Sequence, residues 1–254
     1  MTQPAASTPV LTSAILMYHK VGHPISRPED AFLNISAKSF RRQMRTMAAL
    51  GYQALTFAEV TEAMTQRRTL PRRTFAITFD DGYRCIGEVA APILAEFGFP
   101  ATVFVVSSCV GATNRWDRNF GKPELPLLNW KELNGLVDRG WEVGGHTRSH
   151  LHLGALDDAE AYREISEGKQ EVEAHTRQTL RTFCYPFGGL NERTPELVRA
   201  AGFCGACTTR SGLARSHRNP FLQPRVKVHD DGVGELLFRL LIRPYLPQSS
   251  HGSY

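Results

Sequence analysis

Short runs of β-prone apolar residues alternate along this chain with longer segments whose apolar positions recur at helical spacing. Residues 14–18, 53–56, 74–79, 101–106, 141–145, 182–185, 204–209 and 221–228 read as strands. Between them, 39–50 places Phe40, Met44, Met47 and Leu50 on one helical face. Segment 85–97 stops at Gly98, and 129–139 stops at Gly140. Segment 158–176 reads as a long helix, and 194–201 as a shorter one with Thr194 as cap and Pro195 in the first position. The stretch 107–126 has Gly, Asn and Pro without a sustained period, which predicts an excursion near a functional rim. Strand–helix alternation of this kind predicts an α/β fold, a distorted (β/α) barrel of seven to eight strands with its chemistry at the carboxyl ends of the strands.

Composition narrows the classes. The chain has 254 residues, 42% hydrophobic and 22% charged, which is ordinary for a globular protein and excludes disorder as its main state. No apolar run approaches the length of a membrane-spanning helix. The opening MTQPAASTPVLT has no Lys or Arg and no apolar core, so a cytoplasmic location is expected. Five cysteines, Cys85, Cys109, Cys184, Cys204 and Cys207, are an odd number and fit a reducing compartment. Cys204-x-x-Cys207 reads as two small core residues, because thiols at that spacing in a strand point to opposite faces. The net charge of +5 is spread over short clusters such as Arg41-Arg42 and Arg72-Arg73. That pattern reads as solvated surface and argues against a nucleic-acid partner, leaving acidic lipids or anionic sugar carriers open. Leu236-Leu237-x-x-Leu240-Leu241 reads as a packing stripe or dimer face, and Arg239 and Arg243 beside it keep peripheral membrane association open. Oligomeric state is not fixed by any of these patterns.

Three clusters at strand ends carry the chemistry. Strand 74–79 runs into Asp80-Asp81-Gly82, where alternation would send two carboxylates in different directions, one to a metal and one left free as a base. Strand 141–145 runs into His146-Thr147-Arg148-Ser149-His150, and histidines four apart can turn both rings to one ion. Gly144 and Gly145 just before them would allow a sharp turn. Together Asp81, His146 and His150 form a two-histidine, one-carboxylate set that leaves positions open for water and substrate. The third cluster, Tyr185-Pro186-Phe187-Gly188-Gly189, could aim a backbone N–H at an oxyanion. Taken singly, each cluster also fits an ordinary turn or solvated histidines.

In this order and spacing, Thr-Phe-Asp-Asp-Gly (78–82), His-Thr-x-x-His (146–150) and Tyr-Pro-Phe-Gly (185–188) resemble the polysaccharide deacetylase family with the NodB-homology domain, carbohydrate esterase family 4. The resemblance covers about 72–228. Ile-Leu-Met-Tyr-His-Lys-Val (15–21) and residues 40–52 look like the extension of a branch that includes poly-N-acetylglucosamine deacetylases. One domain over 1–254 is expected, with the NodB-homology core at 72–228, an extension at 10–71 and a helical tail at 233–254. The resemblance implies Asp80 as general base, Asp81, His146 and His150 as metal ligands, and the Phe187 N–H, in the loop with Tyr185 and Pro186, as part of an oxyanion hole. Two imidazoles and a carboxylate favour zinc, with cobalt or another divalent ion as alternatives. The implied activity is hydrolysis of N-acetyl groups on an amino-sugar polysaccharide, oligosaccharide or glycan precursor.

The chain departs from the family pattern twice. Cys184 stands where an Arg often braces the base, and Arg225 on the last strand is a candidate substitute, a surface Arg being the competing reading. No Leu-His follows the third motif, so His19 is the candidate general acid if the strand order is permuted. Against the enzyme stands a catalytically inactive carbohydrate-binding protein of the same fold, supported by Cys184 alone. A non-haem iron oxygenase shares the ligand set but usually sits on double-stranded β folds.

Overall fold

The computed structural model describes residues 11–24, 31, 33–230 and 237. The helical tail expected at 233–254 and the leucine stripe from 236 to 241 therefore lie outside the described residues, apart from Leu237, as do residues 1–10.

The chain runs through β1 (Thr12–Tyr18), β2 (Lys20–Val21), β3 (Asn34–Ile35), α1 (Ala37–Ala49), β4 (Gln53–Leu55), α2 (Phe57–Thr65), β5 (Thr74–Phe79), α3 (Ala91–Ala95) and β6 (Thr102–Val105). It continues through α4 (Trp130–Val137), β7 (Glu142–Gly145), α5 (Asp158–His175), β8 (Thr182–Cys184), α6 (Thr194–Ala200), β9 (Gly205–Ser211), β10 (Ala214–Arg215) and β11 (Gln223–Lys227). Seven parallel strands close on themselves in the order β1-β11-β9-β8-β7-β6-β5, with β5 pairing back to β1. The eighth expected strand, β4, stays outside the ring: it pairs with Thr74, Phe75 and Ala76 of β5, while β6 takes the end of β5 at Thr78 and Phe79. Every residue of β5, β6 and β7 is buried, as strands covered on both faces require.

The N-terminal strand is what closes the barrel. β1 sits between β5 and β11, and Asp80 N donates to Tyr18 O at 3.0 Å. The first and last strands of the ring, β1 and β11, thus reach the same rim.

Helix α2 was not legible from periodicity, because nine residues give too few turns for a pattern. Its signal is the capping box Thr56-x-x-Glu59, in which Thr56 Oγ1 accepts from Glu59 N at 3.3 Å and Glu59 Oε2 accepts from Thr56 N at 2.7 Å. Its buried face, Phe57, Val60 and Met64, joins Ile15, Ala76, Phe104, Cys184 and Cys207 in one apolar cluster and plugs the barrel. Two further expectations are corrected. Thr194 does not cap α6: the cap position is Arg193, and Asn191 Oδ1 accepts from both Arg193 N and Thr194 N at 3.0 Å. Cys207 is a buried core residue, but Cys204 precedes β9 and is exposed.

Candidate active site

Each strand candidate for chemistry ends on one rim, where side chains on or just after six barrel strands and in the 107–126 excursion line an open cleft of about 460 Å3. Asp80 and Asp81 follow β5, His146 and His150 follow β7, Tyr185 and Phe187 follow β8, Thr209 lies on β9, and His19 follows β1.

The two carboxylates diverge, although not by strand alternation. Asp81 has φ 71°, so the backbone kinks there and turns the second carboxylate away from the first. Asp81 Oδ1 lies 3.3 Å from His146 Nε2 and 3.2 Å from His150 Nε2. All three residues are buried, and one ligand atom from each fits within 4.8 Å of the others. His146 Nδ1 is 2.7 Å from the Cys184 carbonyl, and donation to that oxygen orients the ring with Nε2 toward Asp81. That is the orientation a cation needs, and the donor set fits a divalent ion with open positions. Trp116 stacks on the His150 ring at 4.3 Å and fixes its other face.

The turn between the two histidines comes from the non-glycine residues Thr147 (φ 65°) and His150 (φ 62°). Gly144 and Gly145 do not make it. They lie within β7, where a Cβ would come within 2.5 Å of the Phe104 ring and 2.9 Å of the Phe203 ring, so they are there for close packing.

Asp80 points to a different set of partners. Arg225 Nη1 donates to Asp80 Oδ1 and Arg225 Nη2 to Asp80 Oδ2, both at 2.7 Å. The guanidinium is fully buried, and its remaining donors reach Thr208 O, Thr78 Oγ1 and Cys184 Sγ at 3.0, 3.0 and 3.2 Å. Arg225 therefore crosses the barrel interior from β11 and occupies the space beside the small Cys184 side chain. His19 Nε2 lies 3.7 Å from Asp80 Oδ2.

Charge follows from these contacts. Burial would raise the Asp80 carboxyl, but the charge and hydrogen bonds of Arg225 outweigh it and hold the group below the usual carboxylate range. Asp81 is lowered further, burial again opposing and the two histidines prevailing. Burial lowers His150, which favours the neutral form a metal ligand needs, and it also lowers His19 against the pull of Asp80 and Asp81.

Phe187 adopts φ 58°, which fixes the loop Pro186–Gly188 in a tight turn, with Gly188 N and Gly189 N donating to Tyr185 O and Pro186 O. A Cβ on Gly188 would fall 2.1 Å from Thr209 Oγ1, so this loop lies directly on β9. The Phe187 ring, 52% exposed, stands on the cleft edge within 4.5 Å of the His150 ring centroid. Phe120, 62% exposed, faces it across 6.4 Å.

The excursion supplies residues that the sequence did not single out. Buried Asn114 donates from Nδ2 to Asp117 at 2.6 Å and to Tyr83 OH at 3.3 Å, and Trp116, Asp117 and Tyr83 all line the cleft. For Asn114, Trp116 and Asp117 the advance signal was the lack of periodicity over 107–126. His152 is exposed on the far side of Gly189 and does not line the cleft.

Comparison with known proteins agrees with this architecture. YxkH of Bacillus subtilis is 27% identical over 214 residues, 84% of this chain and 70% of that one. The poly-beta-1,6-N-acetyl-D-glucosamine N-deacetylase of Staphylococcus aureus is 24% identical over 216 residues, covering 81% and 71%. IcaB from Ammonifex degensii superposes with a TM-score of 0.74 at 25% identity over 89% of this chain and 95% of that one. The Streptococcus pyogenes deacetylase PplD shares the fold at a TM-score of 0.78 and 23% identity, over 89% and 97%. The model of the polysaccharide deacetylase family matches residues 67–206, more than half of the sequence and all three strand-end clusters, and this chain belongs to that family.

Proposed function

We propose that this chain is a metal-dependent deacetylase that hydrolyses N-acetyl groups of an amino-sugar glycan of the poly-N-acetylglucosamine type. The observation that carries the reading is the division of labour between neighbouring carboxylates: Asp81 converges with His146 and His150, while Asp80, one residue away, is left out of that set and kept ionised by Arg225.

Asp81, His146 and His150 would hold the ion, with zinc favoured by the donor set and cobalt or another divalent ion as alternatives. When bound, such an ion supplies Lewis-acid polarisation and lowers the pKa of water. The chain's own groups account for the rest. Asp80 accepts a proton from the attacking water, a role its ionised carboxylate suits at neutral pH. The Phe187 N–H, presented at the cleft by the left-handed turn, faces the developing oxyanion, with Tyr185 and Pro186 setting the loop. Burial keeps His19 a weak base, so once protonated beside Asp80 it gives its proton readily to the leaving amine. Acetate and a free amino sugar are the products. The homology to the Staphylococcus aureus enzyme supports a β-1,6-linked N-acetylglucosamine chain as substrate.

The test is acetate release from β-1,6- and β-1,4-linked N-acetylglucosamine oligomers, with Asp80→Asn as control. Release that prefers the β-1,6 series and disappears in the variant is expected. No release from either series would leave a carbohydrate-binding protein of the same fold as the better reading.

A further inference from the structure

From residue 197 to residue 229 the chain carries no Asp or Glu, yet it carries Arg199, Arg210, Arg215, Arg218, Arg225 and Lys227. Two of these cations are neutralised within the fold: Arg199 pairs with Glu196 at 3.0 Å and Arg225 with Asp80 at 2.7 Å. Lys227 lines the active-site cleft. The other three, Arg210, Arg215 and Arg218, line a separate concavity of about 440 Å3, together with Ser211 and Asn219 and with no acidic residue in its lining.

Among the described residues, none of these three guanidiniums lies within 4.0 Å of a carboxylate. Elsewhere on the surface Arg41, Arg118, Arg177 and Arg193 each meet a carboxylate at 2.9 Å or less, whereas these three share one concavity that has none in its lining. The frame that holds the three cations is fixed. Buried Gln223 accepts from Arg215 N at 3.1 Å and donates to Arg215 O and Asn219 O at 3.4 and 3.3 Å, and Arg215 pairs across β10 with Thr12 of β1. Three planar cations lining one concavity without a counter-charge repel, and an oxyanion that accepts several N–H bonds relieves that repulsion. The concavity also adjoins the active site along β9, where Thr209 faces the cleft and Arg210, the next residue, faces the groove.

We propose that the Arg210–Arg215–Arg218 groove is a binding site for a phosphate-type oxyanion, the phosphoryl group of a free phosphate or of an anionic lipid headgroup. The proposal does not rest on the deacetylase reading, because its ligand and its test are separate from acetate release.

The experiment is calorimetric titration of the full chain with inorganic phosphate. Alongside it, flotation is measured with vesicles of phosphatidylcholine alone and of phosphatidylcholine mixed with phosphatidylglycerol. Both are repeated on the Arg210→Gln/Arg215→Gln/Arg218→Gln variant, whose fold is checked by its melting temperature. Should that variant not fold, Arg218→Gln alone, in an exposed turn, serves instead. Saturable phosphate binding that weakens as salt rises, and by about tenfold or more when the arginines are replaced, supports the site with free phosphate as a sufficient ligand. Binding confined to the phosphatidylglycerol vesicles and lost in the variant supports it with a lipid headgroup as the source. No binding to either probe, or binding that the variant retains in full, overturns it.

Discussion

The barrel buries carboxylates at both ends, and Glu142 and Asp80 are kept in opposite ways. At the amino end, Glu142 accepts from Ala58 N at 2.8 Å and from the hydroxyls of Thr102 and Thr182 at 2.7 and 2.5 Å, all neutral donors. Burial is the largest influence there, and it pushes the carboxyl above the usual range. At the carboxyl end, Asp80 is equally buried, yet the bidentate Arg225 charge reverses the direction. One end uses a carboxylate as an acceptor that fastens α2 across the barrel floor. The other keeps a charge available beside a ligand set. Burial alone therefore does not mark the reactive end; a paired opposite charge and an open cleft do.

The largest effect expected from breaking this contrast is on rate. Asp80→Asn should reduce acetate release by roughly 10²–10⁴-fold, the usual contribution of a general base, while Glu142→Gln leaves the turnover rate intact. Steady-state kinetics of both variants make that comparison.

Next in size is stability. Arg225→Met strands the Asp80 charge in the barrel interior, and loss of about 3–5 kcal/mol is expected in denaturant titration. The same change removes the influence that holds the Asp80 carboxyl down, so the acid limb of the rate profile should move to higher pH. Arg225→Lys, which keeps the charge without the fork, should lie between wild type and Arg225→Met on both measures.

Glu142 gives a smaller and opposite pH signature. Its folded carboxyl is raised above the ordinary 4.5, so the folded state holds its proton to higher pH than the unfolded chain. Stability from this group consequently falls as pH rises through that interval, the reverse of the Asp80 case. Glu142→Gln should flatten that part of the stability profile, and Glu142→Ala, which strands the Ala58 N–H, should cost about 1–3 kcal/mol at neutral pH. The mildest change is Asn191→Ala: loss of the acceptor for two N–H groups at the start of α6 should cost about 1 kcal/mol in denaturant titration and leave kinetics unchanged.

The same contrast explains what could be read in the chain. Strands buried on both faces make unbroken apolar runs, so the seven ring strands were visible, with β4 beside them, while the two-residue β2, β3 and β10 were not; the strand-end pairs Asp80-Asp81 and His146/His150 stood out because polar residues follow those runs abruptly. The floor was not visible: α2 is short, and Glu142, Thr102 and Thr182 meet only when three strands are placed side by side. For the same reason Asn114 and Tyr83, which brace the excursion behind Asp81, had no signal of their own. The glycines before His146 misled because close packing and left-handed turns call for the same residue, and here packing against Phe104 and Phe203 decided the matter.

The most direct test of the central claim is acetate release by protein stripped with a chelator, before and after zinc is returned. Release that vanishes on stripping and returns with zinc in the wild type, but not in His146→Ala, is the predicted result. Undiminished release from the stripped wild type, or full recovery in His146→Ala, would contradict the assignment of Asp81, His146 and His150 as the ligands that make Asp80 effective.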